Sequence, residues 1–600
     1  MPEAMTARTQ GDDRRTRAVL FHAPRWKIPV AGQHFPPEED GPPVWVSPDV
    51  SVDIDNATIS YGMLSLAAQG NRAGFLTSVF NVNTMTWNDI GALVACLDAD
   101  LFGMTLNQSN FRGVGALAEL IKSIHPAAKV VIGGPQATAL PVESLHHLPA
   151  VDLVVVGEGE ETFLEILERM EAGESLDGVA GTAWRQDGRV VQGPCRAYID
   201  DLDSLASPHD YFTTRIFMTS RGCPMKCTFC GSGTVWGQKV RAHSAEYILE
   251  GLTRNIRGGR MPFILVKDDT FTVNRKRVRA ICDGIAERGL NVMWSCDTRA
   301  DCLDEDTLRR LRLAGCQRIS LGVESASEAI LETIKKKVTP AKILEVTRFA
   351  QKYGIRVRYY MIYGSPGESA ETLQESLDFL KTAQPNESIF CCYSIYPGTE
   401  DFTMAQEKFG LNSNAFFDKT VGIILYQAGK TLEVLDDWYQ QHKPEWSFRP
   451  YSAEHCRGVV DLLPDFGPAH ADLAAALIVE GQPEAARVSL ANARRLGYPV
   501  PGFLDNMDGV IAALGGDGEG ARKMFEQARS RYPHHVAGQN LARLDAWAAA
   551  GWVSEARPNF EIDSDCEQWV EFVQPELPGP IALADLPPRR QRSAAPGLGG

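Results

Sequence analysis

The chain has 600 residues, 44% of them hydrophobic, and a formal net charge of −16. That length is too great for one hydrophobic core, so roughly two to four domains are expected. The acidic balance argues against general nucleic-acid binding, and the lack of any apolar run of about 18 residues argues against a membrane span.

Residues 1–16 are polar and read as disordered. They contain no apolar h-region, so no secretory signal is expected. The 13 scattered cysteines then fit a reducing cytoplasm better than a disulfide framework. From 17 to 195, strand-like runs alternate with helical patterns. "AVLFHA", "GFLTSVF", "DLFGMTL", "KVVIGG" and "VDLVVVG" are near-continuous apolar strands, the mark of a parallel sheet covered on both faces. This is a doubly wound, Rossmann-like domain whose ligand belongs beyond the carboxyl ends of the strands. The loops there, "TLNQSN", "GGPQAT" and "GEGEET", are rich in glycine and small polar groups.

A second α/β series spans 205–410. Its strands are "RIFMTS", "FILVKD", "VMWSCD", "RISLGV", "RVRYYMIY" and "SIFCCYSI", each ending in a polar or Gly/Pro cluster. Functional groups of β/α barrels gather at such ends. Six strands are too few for a closed eightfold barrel, so a partial (β/α)6 barrel is expected. Residues 411–463 read as a linker or helical cap. Residues 464–574 are helical and repeat. "EAAR", "EGAR" and "SEAR" end at Arg487, Arg522 and Arg557, with Gly481, Gly516 and Gly551 at the same 35-residue step. That period suits an all-α array of tetratricopeptide type. Residues 575–600 read as a disordered tail.

Three cysteines crowd into "GCPMKCTFCG": Cys223, Cys227 and Cys230. Structural zinc wants four ligands, and Cys195 and Cys282 lie elsewhere in the chain. A 4Fe–4S cluster is the other reading. With three thiolates, one iron keeps an open position for a substrate's amino and carboxylate groups.

"CPMKCTFC" resembles the signature of radical S-adenosylmethionine enzymes. "VKDDTFTVN", "TRAD", "GVESASEAIL", "YGSPGESAET" and "YPGT" resemble the same family, in order and at strand ends. The resemblance implies a 4Fe–4S cluster on Cys223, Cys227 and Cys230. It places Phe229 near the adenine of S-adenosylmethionine. Glu324 and Ser325 fall near the ribose and methionyl group, with Asp269 and Arg299 as further contacts. Pro366 and Gly367 form an adenine-side turn, and Glu368 caps the helix that follows. Asp268 and Asp269 are alternatively a turn or helix cap.

The segment "DADLFGMTLNQSN…VVIGGPQATALP…VDLVVVGEGEETFLEIL" resembles the cobalamin-binding domain that precedes the barrel in one branch of that family. The implied cobalamin contacts are Thr105, Asn107, Gln108, Gly133, Gly134, Pro135, Gln136, Gly157, Glu158 and Glu160. No histidine has Asp two positions before it, so no axial His is expected from the Asp-x-His-x-x-Gly motif of mutases. A degenerate scaffold without cobalamin is the alternative.

The resemblance implies a cobalamin-dependent radical S-adenosylmethionine methyltransferase. It would move a methyl group via methylcobalamin to a carbon of a small, specialised metabolite, aromatic or derived from an amino acid. A cyclase or rearrangement enzyme is the alternative. So is an enzyme modifying a peptide docked on the helical array, which could instead close the substrate pocket. A flavodoxin- or ferredoxin-type donor of one electron is the implied partner. No particular catalytic side chain stands out. Nucleic acid is not expected, because a tRNA-methylthiolating relative would need a further cysteine triad, and the first domain carries only Cys96 and Cys195.

Overall fold

The computed structural model describes residues 15–23, 60–82, 85, 87–257, 263–417, 430–442, 449–531, 535–552, 560 and 562. The tail expected at 575–600, most of the segment expected to be disordered at 1–16, and the "SEAR" motif ending at Arg557 lie outside them.

Seven strands form the first sheet: β1 (Arg17–His22), β2 (Leu76–Asn81), β3 (Leu101–Thr105), β4 (Lys129–Gly133), β5 (Leu153–Val155), β6 (Thr182–Gln186) and β7 (Arg189–Gln192). Their order is β2-β1-β3-β4-β5-β6-β7. β1 to β5 run parallel, and β6 and β7 add an antiparallel edge. Successive side chains of a strand face opposite sides. Ala18 and Leu20 accordingly join one core with Leu101, Val131 and Leu153, while Val19 and Phe21 join another with Phe102, Val130 and Ile132. Two apolar layers on one sheet explain why these strands read as unbroken hydrophobic runs.

The second sheet is built from β8 (Ile216–Phe217), β11 (Phe263–Val266), β12 (Met293–Thr298), β13 (Cys316–Glu324), β14 (Arg356–Tyr363) and β15 (Glu387–Cys392). Its order is β15-β14-β13-β12-β11-β8, all parallel, and its two edges do not pair. This is the open six-stranded arrangement expected. A short antiparallel ribbon, β9 (Ser220–Arg221) with β10 (Arg241–Ala242), flanks the cysteine segment. On the outer face, Ile264, Val266, Trp294, Cys296, Ile319, Leu321, Val357 and Tyr359 pack beneath the helices.

Beyond β15, helix Lys430–His442 lays Leu435, Trp438 and Tyr439 against Tyr363 and Phe390. Five further helices, Ala453–Leu462, Gly467–Val479, Pro483–Arg495, Pro501–Leu514 and Gly518–Arg531, are followed by His535–Ala549. Gly481 and Gly516 sit in the turns between consecutive helices. These helices share a core with Phe263 and Met293, the first residues of β11 and β12, and with Leu265 on the same face of β11. Asn291 donates to the Gly497 carbonyl, and Tyr451 Oη donates to the Ile355 carbonyl at 2.7 Å. Arg312, fully buried, reaches Asp472 at 2.6 Å. All these contacts lie at the amino-terminal end of the barrel. The described helices of the array therefore do not close a pocket at the carboxyl end, which corrects that reading. Among the described residues no helix is long and apolar enough to cross a membrane.

Candidate functional site

At the carboxyl ends of the barrel strands lies a cavity of about 520 Å³. Cys223, Cys227 and Cys230 line it together with Phe229, Asp269, Arg299 and Glu324. Seven residues expected at one site, drawn from four separate segments, thus meet in one space. The cysteine segment is pinned at several points. Cys230 N–H donates to the Cys227 carbonyl at 3.2 Å, and Thr228 N–H donates to the Ile334 carbonyl at 3.2 Å. The Thr234 hydroxyl donates to the Gly398 carbonyl at 2.9 Å.

All three thiols are free. Burial pushes the Cys227 thiol above its ordinary value and Cys230 up to about 11. Ligation needs thiolates, so loading the site releases protons. Among the described residues, no three His, Cys, Asp or Glu side chains converge on a single metal ion. The three thiols line one cavity. Arg299 is gripped by Asp301, with Nε to Oδ1 at 3.0 Å and Nη2 to Oδ2 at 2.9 Å, and its Nη1 lies 3.9 Å from Cys227 Sγ. Asp269 accepts from the Ser232 hydroxyl at 2.6 Å, and burial raises its carboxyl pKa.

Glu324 ends β13 at φ 67°, in the left-handed region that a non-glycine side chain adopts only under constraint. Its Oε1 is held by Lys336 Nζ at 2.8 Å. A Cβ on Gly322 would fall 2.6 Å from that oxygen and 2.9 Å from that ammonium, so the close approach requires glycine. Lys336 was not anticipated. It is the middle of three consecutive lysines, and spacing does not say which one turns inward. Tyr360, Asp297 and Thr270 also line the cavity unannounced.

Other expected positions fall elsewhere. Ser325 is buried beside Ser376, with hydroxyls 3.4 Å apart, and Pro366 is buried in its turn; neither lines the cavity. Glu368 does not cap the next helix. It accepts the Gly364 and Ser365 N–H groups at 2.5 and 3.1 Å, while Ser369 and Thr372 form the capping box. Asp268 is a structural anchor, accepting from Thr219 N–H at 2.5 Å and the Ser220 hydroxyl at 2.6 Å.

In the first domain, Thr105, Asn107, Gln108, Gly133, Gly134 and Gly157 sit at the carboxyl edge of β3, β4 and β5, all part-exposed, with Pro135 exposed beside them. A Cβ on Gly134, at φ 97°, would lie 3.2 Å from the Leu106 carbonyl oxygen, while one on Gly157 would meet open space. This bare backbone edge fits close approach by a large planar ligand. Three expected contacts depart from it. Gln136 is turned inward to the Phe416 carbonyl at 3.4 Å. Glu158 and Glu160 are buried against Arg221 and Arg241. Although burial alone would raise it, the adjacent Arg221 guanidinium holds the Glu160 carboxyl below its usual value.

The radical SAM superfamily model matches residues 217–380, and the B12 binding domain model matches residues 49–167. An uncharacterized methyltransferase of Pyrococcus horikoshii is 32% identical over 326 residues, 52% of this chain and 71% of that protein. The anaerobic magnesium-protoporphyrin IX monomethyl ester cyclase of Rubrivivax gelatinosus is 26% identical over 362 residues, 56% of this chain; the chain spans 64% of that relative's length. The structure of the radical S-adenosylmethionine methyltransferase TsrM from Kitasatospora setae, with cobalamin and a 4Fe–4S cluster bound, shares the fold. Its TM-score is 0.54 at 15% identity, covering 85% of this chain and 100% of that one. The chain belongs to the radical S-adenosylmethionine family that carries a B12-binding domain ahead of the barrel, and its cofactors are a 4Fe–4S cluster, S-adenosylmethionine and cobalamin.

Proposed function

We propose that this chain is a cobalamin-dependent radical S-adenosylmethionine methyltransferase. It places a methyl group on a carbon of a small molecule, an aromatic or amino-acid-derived intermediate of the kind used in antibiotic biosynthesis. The observation that carries this reading is the single cavity where three free thiols meet Asp269, Arg299 and the Glu324–Lys336 pair, in a chain that also matches the B12 binding domain. The Pyrococcus methyltransferase supports it at the family level. When bound, the cluster supplies an electron to cleave S-adenosylmethionine and cobalamin carries the methyl group.

The chain's own residues then bind and orient. Cys223, Cys227 and Cys230 hold the cluster. The Glu324 carboxylate, fixed by Lys336, accepts from a ribose diol. Arg299, steadied by Asp301, pairs with the methionyl carboxylate. Phe229 packs beside the adenine. Thr105, Asn107, Gln108, Gly133, Gly134, Pro135 and Gly157 face the corrin. The domains run 17–195 and 205–410, with a linker to 463 and a tetratricopeptide-type array that braces the barrel from below. A flavodoxin- or ferredoxin-type protein delivers the electron. The free thiols suit a reducing cytoplasm.

A second reading, ring formation, is favoured by the cyclase relative. S-adenosylmethionine labelled at its methyl carbon separates the two. The proposal predicts label in the product, with S-adenosylhomocysteine and 5′-deoxyadenosine both formed. An unlabelled product with 5′-deoxyadenosine alone selects the cyclase.

A further inference from the structure

Two residues before the first cluster cysteine, Arg221 stands directly across the β9–β10 ribbon from Arg241. Like charges directly opposite each other on a ribbon repel. Both guanidinium groups are buried, and both are neutralised from the other domain. Glu158 Oε1 accepts from Arg221 Nη1 at 2.7 Å and from Arg241 Nη1 at 2.8 Å. Its Oε2 accepts from Arg241 at 2.7 Å and from Ile199 N–H at 2.7 Å. Glu160 Oε1 accepts from Arg221 Nη2 at 2.5 Å and from the Ser65 hydroxyl at 2.9 Å. The four charged side chains are between 2% and 6% exposed. Aromatic rings cover the guanidinium faces, Trp236 at 5.1 Å from Arg221 and Tyr198 at 4.8 Å from Arg241.

The same short strand has a second anchor. Ser220 and Thr219 are held by Asp268, which belongs to the barrel's own β11 loop. The barrel thus already secures the start of the cysteine segment by itself. The glutamates add a connection of a different kind, because they leave the carboxyl end of β5, in the domain that matches the B12 model. They follow Gly157 immediately, and Gly157 sits on the edge assigned to the corrin.

We propose that Glu158, Glu160, Arg221 and Arg241 form an interdomain clamp that sets the cysteine segment, and so the cluster end of the cavity, at a fixed distance from the cobalamin edge of the first domain. These are positioning residues. None of them lines the cavity, and they act through the backbone of Arg221–Gly222–Cys223 on one side and of Gly157–Glu160 on the other. The inference rests on the proposed function for its consequence: a methyl group can reach the substrate carbon only if the two cofactor sites keep their separation. Misplacement by about 1 Å costs on the order of 10²-fold in rate.

The test uses the full chain, reconstituted with iron and sulfide and loaded with hydroxocobalamin. Pulsed electron paramagnetic resonance measures the dipolar coupling between the reduced cluster and the cobalt(II) corrinoid. Wild type should give one narrow distance distribution. Glu158→Gln with Glu160→Gln should broaden or shift it, while iron content, corrinoid content and each centre's own spectrum stay as in wild type. An unchanged narrow distribution in that variant overturns the clamp. Should the double variant fail to fold, Arg221→Lys keeps the charge but loses the two-pronged contact to both glutamates, and it carries the same two outcomes. Asp268→Asn loosens only the barrel's anchor and should leave the distance distribution narrow; broadening there equal to that of the glutamate variant also overturns the assignment. The methyltransferase reading fails separately, on the absence of methyl label in product, and the distance measurement stays readable in that case because it needs only the two bound centres.

Discussion

The six barrel strands have two ends, and the chain treats them oppositely. At the carboxyl ends, side chains are polar, charged and held in costly arrangements, such as Glu324 at positive φ against a buried lysine. At the amino ends, Phe263 and Met293 merge into the apolar core of the helical array, with Phe503 and Met507 packed in the same cluster. One end is shaped for binding at a cost in stability; the other is filled for stability. The difference teaches that the array braces the barrel rather than gating the cavity, and it makes substitutions at the two ends separable in their effects.

The largest effect on stability is expected at the amino end. Phe503 is 2% exposed, and Phe503→Ala should cost about 3–5 kcal/mol, read as a shifted denaturant midpoint. Iron content and S-adenosylmethionine affinity, measured by calorimetry, should not change. A loss of affinity would show that the two ends are coupled. At the carboxyl end the pattern should invert. Glu324→Gln removes a charged acceptor, and affinity for S-adenosylmethionine should fall about ten- to a hundredfold with the cluster retained. Unchanged affinity would move the ribose contact elsewhere.

The smallest effect is a pH dependence. Burial raises the Glu368 carboxyl to about 7, and its two backbone N–H donors only partly offset this. A carboxyl raised above its unfolded value favours the protonated native state. Its contribution is full below the ordinary value near 4.5 and is lost as pH rises towards 7. Wild type should therefore lose thermal stability across that window relative to Glu368→Gln, whose amide does not titrate. Parallel Tm profiles would show that the carboxyl titrates normally.

Much of this was legible in the sequence, for identifiable reasons. The parallel strands of both sheets bury two faces or end in turn-forming clusters, so each announced itself as an apolar run. The β6–β7 hairpin escaped notice although "WRQDGRVV" carries its signal, an Asp-Gly turn between alternating residues. Cys223, Cys227, Cys230, Phe229, Asp269, Arg299 and Glu324 could be named because they sit in short motifs. Lys336 could not, since only the turn after helix Glu328–Thr333 selects it from its neighbours. Glu158 and Glu160 were read as ligand contacts because a Gly-rich acidic loop looks the same either way. Their partners lie more than 60 residues on, and no local pattern pairs them. The seat of the array was hidden for a similar reason: a helix face shows that it is apolar, but not which strand ends it covers.

The most direct test of the account concerns the cavity itself. Anaerobically reconstituted wild type should bind about four irons, as one 4Fe–4S cluster requires. The electron paramagnetic resonance spectrum of the reduced cluster should change when S-adenosylmethionine is added. The variant with Cys223, Cys227 and Cys230 all changed to Ala should lose the iron, the spectrum and all cleavage of S-adenosylmethionine. A triple variant that keeps wild-type iron content and the same spectral response would place the cluster elsewhere and contradict the assignment.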